Sequence, residues 1–140
     1  NLRRAIEVLS ESGNALSYPL MGEIAAGKPL EALDQNEVVE LLPDGGDKDV
    51  FVLRVKGNSM IEDHIQSGDY VIVEKRNVAE NGETVVALID NDRATLKRFY
   101  RENGRVRLQP AHPDMKPIFV REGDFTIQGV VISVLRKFTK

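Results

Sequence analysis

The 140 residues contain no cysteine, which removes disulfides, thiolate metal sites and cysteine nucleophiles from the chemistry this chain can perform. That usage fits a reducing compartment. No apolar run approaches the roughly 20 residues of a membrane-spanning helix, and no secretory signal pattern opens the chain. A basic excess is missing too. The formal net charge is -3, whereas a stand-alone nucleic-acid binder carries a surplus of Lys and Arg. Histidine is limited to His64 and His112. Internal repeats, coiled-coil patterns and low-complexity tracts are all lacking.

What is present is ordinary for a globular protein: 41% hydrophobic and 29% charged residues, enough for one domain with a core and a short tail. The chain begins at Asn1 instead of methionine and reads as a fragment whose N-terminal part is missing. Residues 1–18 are expected to be an interdomain linker, with Arg4 to Leu9 as a remnant of a preceding domain. Within it, Ser10-Glu11-Ser12-Gly13-Asn14 is polar and turn-prone. Residues 19–140 are expected to form the folded domain.

From Tyr18 onward β-branched residues are punctuated by glycines. Val50 to Val55 reads as a strand ending at Gly57. Ser59-Met60-Ile61-Glu62-Asp63 reads as a short helix capped by Asn58 or Ser59. A turn at Ser67-Gly68-Asp69 precedes a strand over Tyr70 to Glu74. Thr84 to Ile89 turns through Asp90-Asn91-Asp92 into Arg93 to Tyr100, and Asn103-Gly104 is a strong hairpin signal leading into Arg105 to Leu108. Further β segments cover Phe125 to Ile127 and Val130 to Leu135. Short strands with hardly any helical periodicity predict a mainly antiparallel β domain.

Two distant residues carry a possible chemistry. Ser59, in Gly57-Asn58-Ser59-Met60, is a nucleophile if a base takes its proton, and Lys97, in Ala94-Thr95-Leu96-Lys97-Arg98, is such a base if desolvated. The plain alternatives are a helix-capping serine and a solvated lysine with its ordinary pKa near 10.4. Strand alternation sets Arg93, Thr95, Lys97 and Phe99 on one face, so Phe99 can help desolvate Lys97 and Thr95 can hydrogen-bond it. The basic cluster Lys97, Arg98, Arg101, Arg105 and Arg107 reads as the solvated face of a hairpin in preference to a DNA patch. Upstream, the small-residue stretch Gly22 to Pro29 is either a flexible turn or a substrate. As a substrate, Ala26 fits a small pocket, and Gly27 lets a nucleophile approach the Ala26 carbonyl. Backbone N–H groups near Asn58 and Ser59 are the candidate oxyanion hole. Asp63, His64 and Asp69 lack a convincing metal-ligand spacing, so no metal or cofactor is expected.

In order and combination these pieces resemble the LexA repressor family. The likeness runs from about residue 18 to the end. It rests on Gly22 to Pro29, Leu53 to Met60, Gly68 to Val73, Asn81 to Ala87, Ala94 to Arg98, Pro110 with Phe119-Val120, and Ile127 to Val131. The resemblance implies a compact antiparallel β domain of the LexA/signal-peptidase type. It also implies an SOS-response repressor that cuts its own Ala26–Gly27 bond with a Ser59/Lys97 dyad, with Thr95 and Met60 in support. The implied partners are a second copy through this domain, an activated RecA filament on single-stranded DNA, and operator DNA through a missing winged-helix domain. The implied setting is the bacterial cytoplasm, with no membrane association. Alternatives of the same chemistry are a UmuD-like mutagenesis factor and a prophage repressor. A non-catalytic β-rich interaction module is the alternative of a different class.

Overall fold

The computed structural model describes residues 16–25, 38–41, 49–90 and 93–138. Among them are nine strands: β1 (Leu16–Ala25), β2 (Val38–Leu41), β3 (Val50–Lys56), β4 (Tyr70–Lys75), β5 (Thr84–Ile89), β6 (Arg93–Glu102), β7 (Arg105–Gln109), β8 (Ile118–Arg121) and β9 (Phe125–Leu135). They form one sheet in the order β2-β1-β3-β4-β9-β5-β6-β7-β8. Every pairing is antiparallel except β1 with β3, which run parallel. The expected mainly antiparallel β domain is therefore the observed one, with a single parallel pair that no local pattern announces.

Several elements fall where the sequence places them. The β6–β7 hairpin turns through Asn103 (φ 48°) and Gly104 (φ 80°), the left-handed pair that the right-handed strand twist demands. Three expectations are corrected. The short helix is only a single 3-10 turn over Ile61–Asp63, and neither Asn58 nor Ser59 caps it, because Met60 stands at the cap position without a side-chain bond. The two C-terminal β segments are one continuous strand, β9. Strand β8 is new: its residues are largely exposed, so the burial alternation that marks a strand is missing. Strand β1 begins at Leu16, inside the stretch read as linker, while residues 1–15 lie outside the described residues.

Strand β9 runs between β4 and β5, and Gly129 pairs with Lys75 on one side and Val86 on the other. A Cβ at Gly129 would lie 2.4 Å from Val73 Cγ1 and 2.6 Å from the Glu74 carbonyl oxygen, so only glycine fits there. The sheet curls. Strands β1 and β6 touch although four strands separate them in the order. Ile24 of β1, Leu53 and Val55 of β3, Met60, Val71 and Val73 of β4, and Ala94 and Leu96 of β6 fill the resulting core. A second cluster of Val85, Ala87, Phe99, Val106, Leu108, Ile127 and Val130 packs the β5-β6-β7-β9 region. This curl carries the loop after β3 against the middle of β6.

Candidate active site

Past Lys56 the chain turns at Gly57, whose N–H donates to Ser67 Oγ at 3.1 Å. Met60 is 1% exposed and anchors the turn in the core. Ile61 N–H donates to the Asn58 carbonyl at 3.2 Å, and the Asp63 and Ile65 N–H groups donate to the Met60 carbonyl. The loop after β7 adds a second support. Ala111 N–H donates to the Ser59 carbonyl at 2.8 Å, and Glu62 N–H donates to the Ala111 carbonyl at 2.7 Å. Ser59 thus sits half-buried on a backbone held from two sides, and Asn58 beside it is exposed.

Lys97 enters from β6. Its register sets it opposite Val85, with Thr95 opposite Ala87, and all four residues are fully buried. Its ammonium donates to Ser59 Oγ at 3.3 Å, to Thr95 Oγ1 at 2.7 Å and to the Leu96 carbonyl at 3.1 Å. Among the described residues no carboxylate pairs with it. Burial alone therefore acts on the charge, lowering the pKa from 10.5 to about 8. Lys97 is not part of a solvated basic face. The rest of that cluster is more exposed: Arg98 pairs with Asp63, Arg101 with Glu122 and Arg107 with Glu102, while the Arg105 guanidinium lies over the Phe119 ring.

These bonds orient the amine. Once deprotonated, Lys97 keeps two N–H donors and gains a lone pair. The Leu96 carbonyl can only accept, so it takes one N–H, and Thr95 Oγ1 at 2.7 Å can accept the other. The lone pair is left facing Ser59 Oγ, which then donates to it. The arrangement sets a serine hydroxyl 3.3 Å from a buried amine, a separation over which a neutral amine can take a hydroxyl proton.

Ser59 opens onto a cleft of about 330 Å3 lined by Ala25, Lys56, Gly57, Asn58, His112 and Met115. Ala25 is the last residue of β1, in parallel register with Lys56. The direction of β1 therefore carries the chain toward Ser59. Ala26 and Gly27 themselves lie outside the described residues. The other candidates from sequence disperse: His64 is exposed and away from this cleft, Asp63 pairs with Arg98, and buried Asp69 takes a bidentate pair from Arg136. Sequence reasoning missed His112, which lines the cleft, because nothing local links the loop after β7 to the turn after β3.

Residues 19–132 match the family model described as Peptidase S24-like. The chain is 49% identical over 140 residues to the LexA repressor of Syntrophotalea carbinolica, covering 99% of this chain and 69% of that protein. It is 47% identical over 150 residues to the LexA repressor of Koribacter versatilis, covering 99% and 71%. With the LexA repressor of Bacillus subtilis it shares 43% identity over 141 residues, covering 95% and 68%.

Proposed function

Since the chain belongs to the LexA repressor family, and within it carries a Peptidase S24-like domain, we propose that it is the self-cleaving part of an SOS-response repressor and cuts its own Ala26–Gly27 bond. The observation that carries this reading is the meeting of Lys97 Nζ and Ser59 Oγ, 38 residues apart in the chain, at 3.3 Å with the amine buried and unpaired by any described carboxylate.

Neutral Lys97 takes the Ser59 hydroxyl proton as Oγ attacks the Ala26 carbonyl carbon. Among the described residues, the Asn58 and Ser59 amides donate to no protein acceptor, which suits them to the oxyanion that forms. The intermediate collapses as the C–N bond breaks. Lys97 returns the proton to the leaving Gly27 nitrogen, and an acyl ester joins Ala26 to Ser59. Water then attacks this ester, giving its proton to Lys97, and Ser59 Oγ leaves and is reprotonated, so that Ala26 becomes a carboxylate. Substrate and nucleophile share one chain, so binding needs no extra affinity and the rate is set by how often the segment docks.

Residues 1–18 are then the linker to a DNA-binding domain, its last three residues entering β1, and residues 19–140 the peptidase and dimerisation domain. Cleavage separates the two half-site contacts that dimerisation links, which weakens operator binding. An activated RecA filament is the partner whose binding favours the docked segment. The setting is cytoplasmic. The test is electrophoresis of the purified chain from pH 6 to 10, beside Ser59→Ala and Lys97→Ala. Cleavage is expected to rise about tenfold per pH unit up to about pH 8 and then level off, with both substitutions abolishing it. Fragments from either variant would remove that residue from the reaction.

A further inference from the structure

The lining of the Ser59 cleft divides by origin. Ala25 and Lys56 belong to the paired ends of β1 and β3, and Gly57, Asn58 and Ser59 form the nucleophile turn. The remaining two, His112 and Met115, come from the loop after β7 and take no part in the proton transfers above. Residues Gly22 to Ala25 are already held in register along Leu53 to Lys56. The stretch preceding the cut bond therefore has its partner strand in β3, and Ser59 with the cleft beside it lies just beyond the end of that pairing.

We propose that His112 and Met115 form the subsite for the residues after the cut bond, Gly27, Lys28 and Pro29, with the His112 Nε2–H donating to a backbone carbonyl and the Met115 thioether packing against Pro29. The proposal rests on the self-cleavage reading and adds to it the determinants of which sequence is accepted. Three observations carry it. The loop is tied to the nucleophile by the paired Ala111–Ser59 and Glu62–Ala111 backbone bonds, so its side chains hold a fixed place relative to Oγ. Asp114 N–H donates to His112 Nδ1 at 3.0 Å, which puts the neutral ring's hydrogen on Nε2, leaving that donor for a ligand. Met115 keeps 39% of its surface exposed while lining the cleft, an apolar flexible side chain suited to a proline ring.

The experiment compares two readouts on the whole chain: the first-order rate of self-cleavage, and labelling of Ser59 by a small fluorophosphonate that has no residues beyond the reacting centre. Each of His112→Ala and Met115→Ala is expected to slow self-cleavage roughly tenfold with labelling unchanged, and His112→Gln, which keeps a donor, to recover most of the rate. Pro29→Ala is expected to slow the unaltered chain but to add little to Met115→Ala. Self-cleavage at the unaltered rate in both alanine variants would overturn the proposal. So would a parallel fall in labelling, which would make the loop a support of the serine and not a subsite. Failure of the underlying reading looks different: the unaltered chain would then neither cleave nor label at Ser59.

Discussion

Replacing Lys97 by methionine should make the protein's stability respond differently to pH, and the size of the effect follows from the site. Lys97 is 1% exposed, and desolvation holds its pKa at about 8 against 10.5 for the free side chain. Between those two values the unfolded chain binds more protons than the folded one. Stability therefore rises with pH across that window. At pH 7 the folded protein carries the full burden of a buried charge, whereas by pH 10 most of it has been relieved. At about 1.4 kcal/mol per pH unit, the span from pH 8 to pH 10 amounts to roughly 2–3 kcal/mol. Methionine fills a similar volume without the charge. It also strands the Thr95 hydroxyl and the Leu96 carbonyl, but that loss is the same at both pH values and cancels in the comparison. Urea unfolding of Ser59→Ala and of Ser59→Ala/Lys97→Met, both unable to cut themselves, supplies the measurement. The methionine variant is expected to gain about 2–3 kcal/mol relative to its parent on going from pH 10 to pH 7. A stability difference equal at the two pH values would show that Lys97 is solvated and ordinary, and the activation argument would fall with it.

Thr95→Val removes the acceptor at 2.7 Å from Lys97 Nζ with little change of shape. Cleavage time courses are expected to slow about tenfold, Thr95→Ser is expected to restore most of the loss, and an unaltered rate in the valine variant would deny Thr95 its orienting role. Gly129→Ala forces a methyl onto the Glu74 carbonyl and Val73, so thermal unfolding should report a loss of about 2–4 kcal/mol; a melting temperature equal to that of the unaltered chain would contradict the crossing geometry. Asp69→Asn breaks the pair with Arg136, which is the chief reason that the Asp69 carboxyl sits below its usual 3.8. Because that pKa is depressed on folding, its stabilisation is present above pH 3.8 and is lost as pH falls through the folded value. The variant should be less stable by about 1–3 kcal/mol at neutral pH, with the gap closing in strong acid; a gap independent of pH would rule out the ion pair as its source.

Legibility in the sequence followed the range of the interactions. The Asn103-Gly104 hairpin and the strands on either side of it are set by turn chemistry within a few residues, and they were readable. Strand β8 was not, because three of its four residues are exposed and its conformation comes from pairing with β7. The role of Ser59 as a cap was a fair local expectation. It failed because the 3-10 turn starts one residue later, with Met60 at its cap, while the Ser59 carbonyl accepts from the Ala111 N–H far along the chain. His112 was invisible for the same reason.

Composition and local pattern by themselves decided that this chain is a cysteine-free β domain with β5 and β6 paired antiparallel and a hairpin at Asn103-Gly104, and that a lysine shares a strand face with Thr95 and Phe99. Only the curled sheet decided that this lysine loses its water and meets a hydroxyl. Desolvation and the approach of Ser59 both require β1, β3 and β6 to close on one core. Periodicity assigns a side chain to a face, but which faces end up dry is settled by packing among strands distant in sequence.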